Sequence, residues 1–166
     1  MKRIVWIFVL AYVMLGYAGH VYSQSQGQRN IVVLYENDVH CAMDGYAKLA
    51  GLRDAIADTA DVFLVSNGDY VQGQTVGAIS KGQYVVDVMQ AMGYDAVTLG
   101  NHEFDYGMER MFELLRQVPV PVVCCNLHDV RTGRLVYAPF VIKRMGNKRI
   151  AFVGVVTPTS MEDEAY

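Results

Sequence analysis

Three short polar clusters hold most of the side chains in this 166-residue chain that could do chemistry together. They are Asn37-Asp38-Val39-His40, Ser66-Asn67-Gly68-Asp69 and Gly100-Asn101-His102-Glu103-Phe104-Asp105. Taken alone, the hexapeptide reads equally well as a polar turn capping the next helix through Asn101. Taken together, the clusters ask for more. Two carboxylates brought to one place repel unless they are protonated or neutralised by cations. With an imidazole and an amide oxygen beside them, a metal site is the natural resolution. Such an oxygen-rich donor set with some nitrogen suits Zn, Mn, Fe or Co better than a thiolate site would. Asp38, His40, Asp69 and Asn101 are the candidate ligands, with Asp69 best placed to bridge two ions. His102, where it is not a ligand, could pass a proton to a departing oxygen, and Asp105 could orient that ring and stabilise its charged form.

Each cluster directly follows an apolar run, residues 31–35, 62–65 and 96–99, of the kind found in strands buried on both faces. Between them lie helical patterns. Asp44 is expected to cap a helix reaching about Thr59, with Leu49, Leu52 and Ile56 inward and Arg53, Asp54 and Asp58 turned elsewhere. A loop with Gly73 and Gly77 comes next, then a helix marked by Val85, Val88, Met89 and Met92 that stops at Gly93. Met108, Met111, Phe112 and Leu115 mark another helix, and residues 120–125 a fourth strand. Residues 135–145 and 148–156 read as a hairpin joined at Gly146-Asn147. This order predicts an α/β fold with a mostly parallel sheet and right-handed crossovers. Asp38, Asp69 and Asn101 lie about thirty residues apart, close to one βαβ unit each. Their loops would then leave one edge of the sheet, where α/β folds gather ligands.

Composition narrows the class. Lys2 and Arg3, the apolar run from Ile4 to about Ala18 and the small residues around Ser23 read as a secretory signal peptide, residues 1–23. The expected location is the periplasm, a cell surface or the extracellular space. Without the leader, twelve basic residues face seventeen acidic ones, a net charge of −5, which argues against a nucleic-acid polymer as partner. Three cysteines, Cys41, Cys124 and Cys125, give neither a disulfide framework nor a zinc motif. Cys41 is read as a packed thiol, His128 as a loop histidine, Glu103 as a structural group that pairs with or caps nearby backbone, and Asn126 as a possible contact of the site.

Asp38-x-His40, Gly68-Asp69-x-x-x-Gly73 and Gly100-Asn101-His102-Glu103, in this order after successive strands, resemble the calcineurin-like metallophosphatases. The extension Phe104-Asp105-Tyr106-Gly107 and the leader resemble the 5′-nucleotidase branch, which includes UDP-sugar hydrolases and 2′,3′-cyclic phosphodiesterases. The resemblance runs from about Ile31 to Thr157. It implies a four-layer α/β/β/α sandwich, of which residues 24–166 are the N-terminal portion. It implies two divalent metal ions, Asp38 and His40 on the first, Asp69 bridging, Asn101 on the second, with His102 and Asp105 as the catalytic pair. The implied activity is hydrolysis of nucleotide phosphoesters. The branch completes its site with later histidines and closes over substrate with a C-terminal domain. Here only His128 lies downstream, so a missing C-terminal part is expected to supply the remaining ligands. The alternatives are a non-catalytic exported remnant of the fold and a hydrolase for another phosphoester.

Overall fold

The computed structural model describes residues 29–158. The expected leader, residues 1–23, and the acidic end lie outside them. The first apolar run forms β1 (Asn30–Glu36), followed by α1 (Met43–Ala57) and β2 (Ala60–Ser66). Then come α2 (Gln74–Ser80), α3 (Gln83–Met92), β3 (Ala96–Val97), a 3₁₀ turn at Asn101–Phe104 and α4 (Met108–Leu115). A hairpin of β4 (Phe140–Met145) and β5 (Lys148–Val153) completes the order. The fold is mixed α/β, as expected.

The strands line up in sequence order, β1-β2-β3. β2 and β3 are parallel, with Val65 opposite Ala96 and Ser66 opposite Val97. The two faces of β2 meet different layers. Leu64 joins the core shared with Tyr46, Val85, Met89 and Leu114 of the helices. Phe63 packs against Phe152 of β5, ring centroids 5.5 Å apart. That second layer stops short of β1. Val33 is 44% and Tyr35 66% exposed, so β1 is not buried on both faces as its composition suggested.

Three other expectations change. α1 follows Ala42 with no side-chain cap, and Asp44 sits in its first turn, where a carboxylate favours the helix terminus without capping it. Its inner face runs through Tyr46, Leu49 and Ala50. Leu52 is half exposed, and Arg53 turns inward to donate to the Met92 carbonyl at the end of α3. The glycine-bearing stretch after Gly73 forms α2, and Gly77 within it serves packing: a Cβ there would fall 2.6 Å from Cys41 Sγ. Residues 120–125 make only isolated parallel bridges, Val122 to Val97 and Val123 to Ala138. Pro119 and Pro121 bring no N–H to a ladder, so strand pairing there stays fragmentary.

α3 is bounded by Gly82 and Gly93, both left-handed, and buries Val85, Val86, Met89 and Met92. The hairpin turns at Gly146-Asn147 as expected, with Phe140 opposite Val153 and Ile142 opposite Ala151. These outward-facing pairs alternate with half-buried residues, and Phe140 (49%), Ile142 (40%) and Val153 (64%) are exposed.

Candidate metal and catalytic site

The strand ends are in step. Asn67 N–H donates to the Glu36 carbonyl at 2.9 Å, and Thr98 N–H to the Ser66 carbonyl at 2.9 Å. Beyond them the loops are laced together. Asp38 N–H donates to Gly68 O (3.3 Å) and His40 N–H to Asp69 O (3.0 Å). His102 N–H donates to Asp69 Oδ1 at 2.8 Å. Asp38, His40, Asp69 and His102, from three loops, therefore share one rim, with the exposed Asn101 beside His102. Asn101 does not cap α4; it opens the 3₁₀ turn after Gly100, and α4 starts from Gly107.

Asp38, His40 and Asp69 all have left-handed backbone, φ 56°, 45° and 60°. Residues bearing a Cβ adopt this region rarely, at a cost of roughly 1–2 kcal/mol each, and mostly where surrounding structure imposes it. Here the imposition is close approach. A Cβ at Gly68 would fall 2.1 Å from Gly100 N, one at Gly73 2.6 Å from His40 Cβ, and one at Gly100 2.2 Å from Asp69 Oδ1. The glycines of the sequence motifs are thus the points where one loop lies on the next.

His40 Nδ1 lies 3.1 Å from the Gln72 carbonyl. A carbonyl only accepts, so in the neutral ring Nδ1 carries the proton and Nε2 presents a lone pair. That lone pair lies 3.6 Å from Asp38 Oδ1. Two facing acceptors repel, and a cation between them removes the repulsion. His102 is arranged differently. Its Nδ1 is 2.8 Å from Asp105 Oδ2. That hydrogen bond, and then the carboxylate charge, raise the imidazole pKa against the opposing effect of burial. The two imidazoles meet edge to face, centroids 4.9 Å apart. Among the described residues no three His, Cys, Asp or Glu side chains are grouped closely enough to hold a metal ion. The donors stand instead as Asp38 with His40 and Asp69 beside the backbone of His102.

Glu103 does more than cap its neighbours. It is 1% exposed. Oε2 accepts from Asp69 N (2.7 Å) and Gly100 N (2.6 Å). Oε1 accepts from Tyr70 N (2.9 Å) and Val71 N (3.4 Å). Burial pushes this carboxyl up, and the N–H donors pull against that. The signal in the sequence was an acidic residue between a candidate acid and a buried aromatic; nothing local named its partners 32–34 positions away. Glu36, beneath the first loop, was not singled out by its sequence context. Burial pushes its carboxyl up to about 7, against hydrogen bonds from Ser66 and Tyr94. Nearby tyrosines are buried too, and Tyr46 OH, Tyr70 OH and Glu36 Oε2 have no hydrogen-bond partner among the described residues.

The remaining residues are structural. Cys41 is buried with Sγ against the Tyr70 and Val71 carbonyls. Cys124 is buried, Cys125 half-buried, and all three thiols are free. Asn126 does not reach the rim; its side chain pairs in both directions with the Val156 backbone. His128 lies exposed in its loop.

Residues 31–153 match the calcineurin-like phosphoesterase family. A 2′,3′-cyclic-nucleotide 2′-phosphodiesterase/3′-nucleotidase of Haemophilus influenzae is 29% identical, over 76% of this chain and 22% of that protein. A 5′-nucleotidase of Bos taurus is 32% identical, over 75% of this chain and 26% of that protein. The chain thus spans about a quarter of the length of these relatives. Among solved structures, the calcineurin-like phosphoesterase YfkN of Bacillus subtilis superposes with a TM-score of 0.69 at 24% identity, covering 83% of this chain and 52% of that one.

Proposed function

We infer function from membership: the chain belongs to the calcineurin-like phosphoesterase family. Its relatives are named as nucleotidases and nucleotide phosphodiesterases. We therefore read it as part of an exported metal-dependent phosphohydrolase acting on nucleotides. The observation that carries this reading is the meeting of the His40 and His102 rings, 4.9 Å apart, over a loop that presents Asp69.

In this reading Asp38, His40, Asp69 and Asn101 hold divalent cations, of Zn, Mn, Fe or Co type. Cations bound there supply Lewis-acid polarisation of a phosphoryl oxygen and a lowered pKa for water. The chain's own part is proton handling. Asp105 fixes Nδ1 of His102 and raises its pKa, so the ring holds a proton nearer neutral pH and can release it from Nε2 to the leaving oxygen. Left-handed Asp38, His40 and Asp69 are constrained by the close loop contacts at Gly68, Gly73 and Gly100, which limits the cost of ordering them on binding.

Because the donors stand in pairs, the 166-residue chain is expected to bind cations weakly and to turn over little phosphate ester. Calorimetric titration with Zn or Mn, and a chromogenic phosphate monoester, test this. Binding that is lost in His40→Ala supports the site. Vigorous hydrolysis by this chain refutes the weak-activity expectation, and absence of any cation binding refutes the site. The same pairing favours a second reading, a non-catalytic member that keeps the fold. Cation binding without turnover on nucleoside monophosphates, UDP-sugars or 2′,3′-cyclic nucleotides would favour it.

A further inference from the structure

We propose that Glu103 is a positioning residue for the cation-binding rim, its carboxylate fixing the Asp69 turn so that the Asp69 side chain faces the cations. The proposal rests on the cation-binding reading above. Every polar backbone group of Asp69 is already committed: its N–H to Glu103 Oε2, its carbonyl to His40 N–H. Its Oδ1 takes the His102 N–H. Of these three ties, the one to Glu103 is the only one that also grips Gly100, and through Oε1 it grips Tyr70 and Val71 as well. One buried carboxylate therefore joins the second loop to the third at the point where Asp69 takes its left-handed turn.

The geometry of these contacts requires two accepting oxygens on one side chain. Four N–H groups converge on Oε1 and Oε2, two on each, so both oxygens must accept. Glutamine cannot substitute. Whichever way its amide is turned, an NH₂ meets two N–H donors. Aspartate keeps both oxygens on a shorter stem, so it can hold some of the four donors but not all.

The test uses the 166-residue chain, wild type, Glu103→Gln and Glu103→Asp. Two quantities are read: amide exchange at Asp69, Tyr70 and Gly100 by NMR without metal, and Co(II) affinity from its visible absorption. We expect Glu103→Gln to lose protection at those amides and roughly ten- to a hundredfold in cobalt affinity, as is usual when a group orienting a metal ligand is removed. Glu103→Asp should recover part of both. Undiminished protection in the glutamine variant, or lost protection with unchanged cobalt affinity, overturns the proposal. If the glutamine variant has lost its circular dichroism, the aspartate variant decides by the same two readouts. Wild-type chain that takes up no cobalt overturns the cation reading itself, and this proposal with it; the wild-type titration separates that failure from the others.

Discussion

Replacing Glu36 by glutamine should stabilise the chain at pH 8 and leave it nearly unchanged at pH 4. The Glu36 carboxyl is raised from 4.5 to about 7, chiefly by burial, with the Ser66 and Tyr94 hydroxyls pulling it down. The folded chain therefore holds a proton there that the unfolded chain has already released. Between pH 4.5 and 7 the folded state binds more protons, so this group's contribution to stability falls as pH rises. Below that window both states are protonated and the effect vanishes; above it the cost is complete. At 1.36 kcal/mol per unit, the shift amounts to about 3 kcal/mol. Glutamine has the shape of the protonated acid and never ionises, so it should remove that cost. Urea denaturation followed by circular dichroism, from pH 4 to pH 8 with a chelator present, gives the difference directly. A gain that is the same at both ends of the range, or a loss at pH 8, would show that burial is not governing Glu36.

Other substitutions test separate contacts. Tyr70→Phe removes a hydroxyl that is buried with no partner among the described residues, so it should be neutral or stabilising by up to about 1 kcal/mol. Tyr94→Phe removes a donor to Glu36 at 3.3 Å and should cost about 1 kcal/mol near neutral pH; thermal melts compare the two. Gly100→Ala places a methyl against the Asp69 carboxylate and should weaken cation binding more than it weakens the fold, whereas Gly107→Ala meets no neighbouring atom and should cost only its backbone strain, about 2 kcal/mol. In metal-free protein, the NMR titration of His102 should lie above the ordinary histidine value and drop in Asp105→Asn; an unmoved midpoint would remove Asp105 from its role.

Much of this arrangement was legible because its signals are local. Apolar runs ending in Asp38, Asp69 and Asn101 announced strands and loops, and Gly93 and Gly146 marked a helix end and a turn. What could not be read depends on distant partners. Leu52 looks like a core residue in its own window, yet α1 packs through Tyr46, Leu49 and Ala50, and it is Arg53 that turns inward, to the Met92 carbonyl. Gly77 looks like a loop residue until Cys41 Sγ is seen against it. The left-handed turns at Asp38 and His40 follow from a second loop lying over them. Glu103 shows the limit most clearly, since three of its four donors come from residues 69–71.

The outward ladder of the hairpin has a bearing on how this polypeptide behaves in a tube. Phe140 with Val153 and Ile142 with Ala151 form a greasy strip that ends in a facing pair of arginines, Arg144 and Arg149. The chain as a whole is net negative, so these two arginines oppose only the face-to-face meeting of two such strips; added salt screens that opposition, over about 10 Å at 0.1 M and about 3 Å at 1 M, while leaving the strip as adhesive as before. Samples should therefore cloud on salting, and mild detergent or Ile142→Lys should clear them.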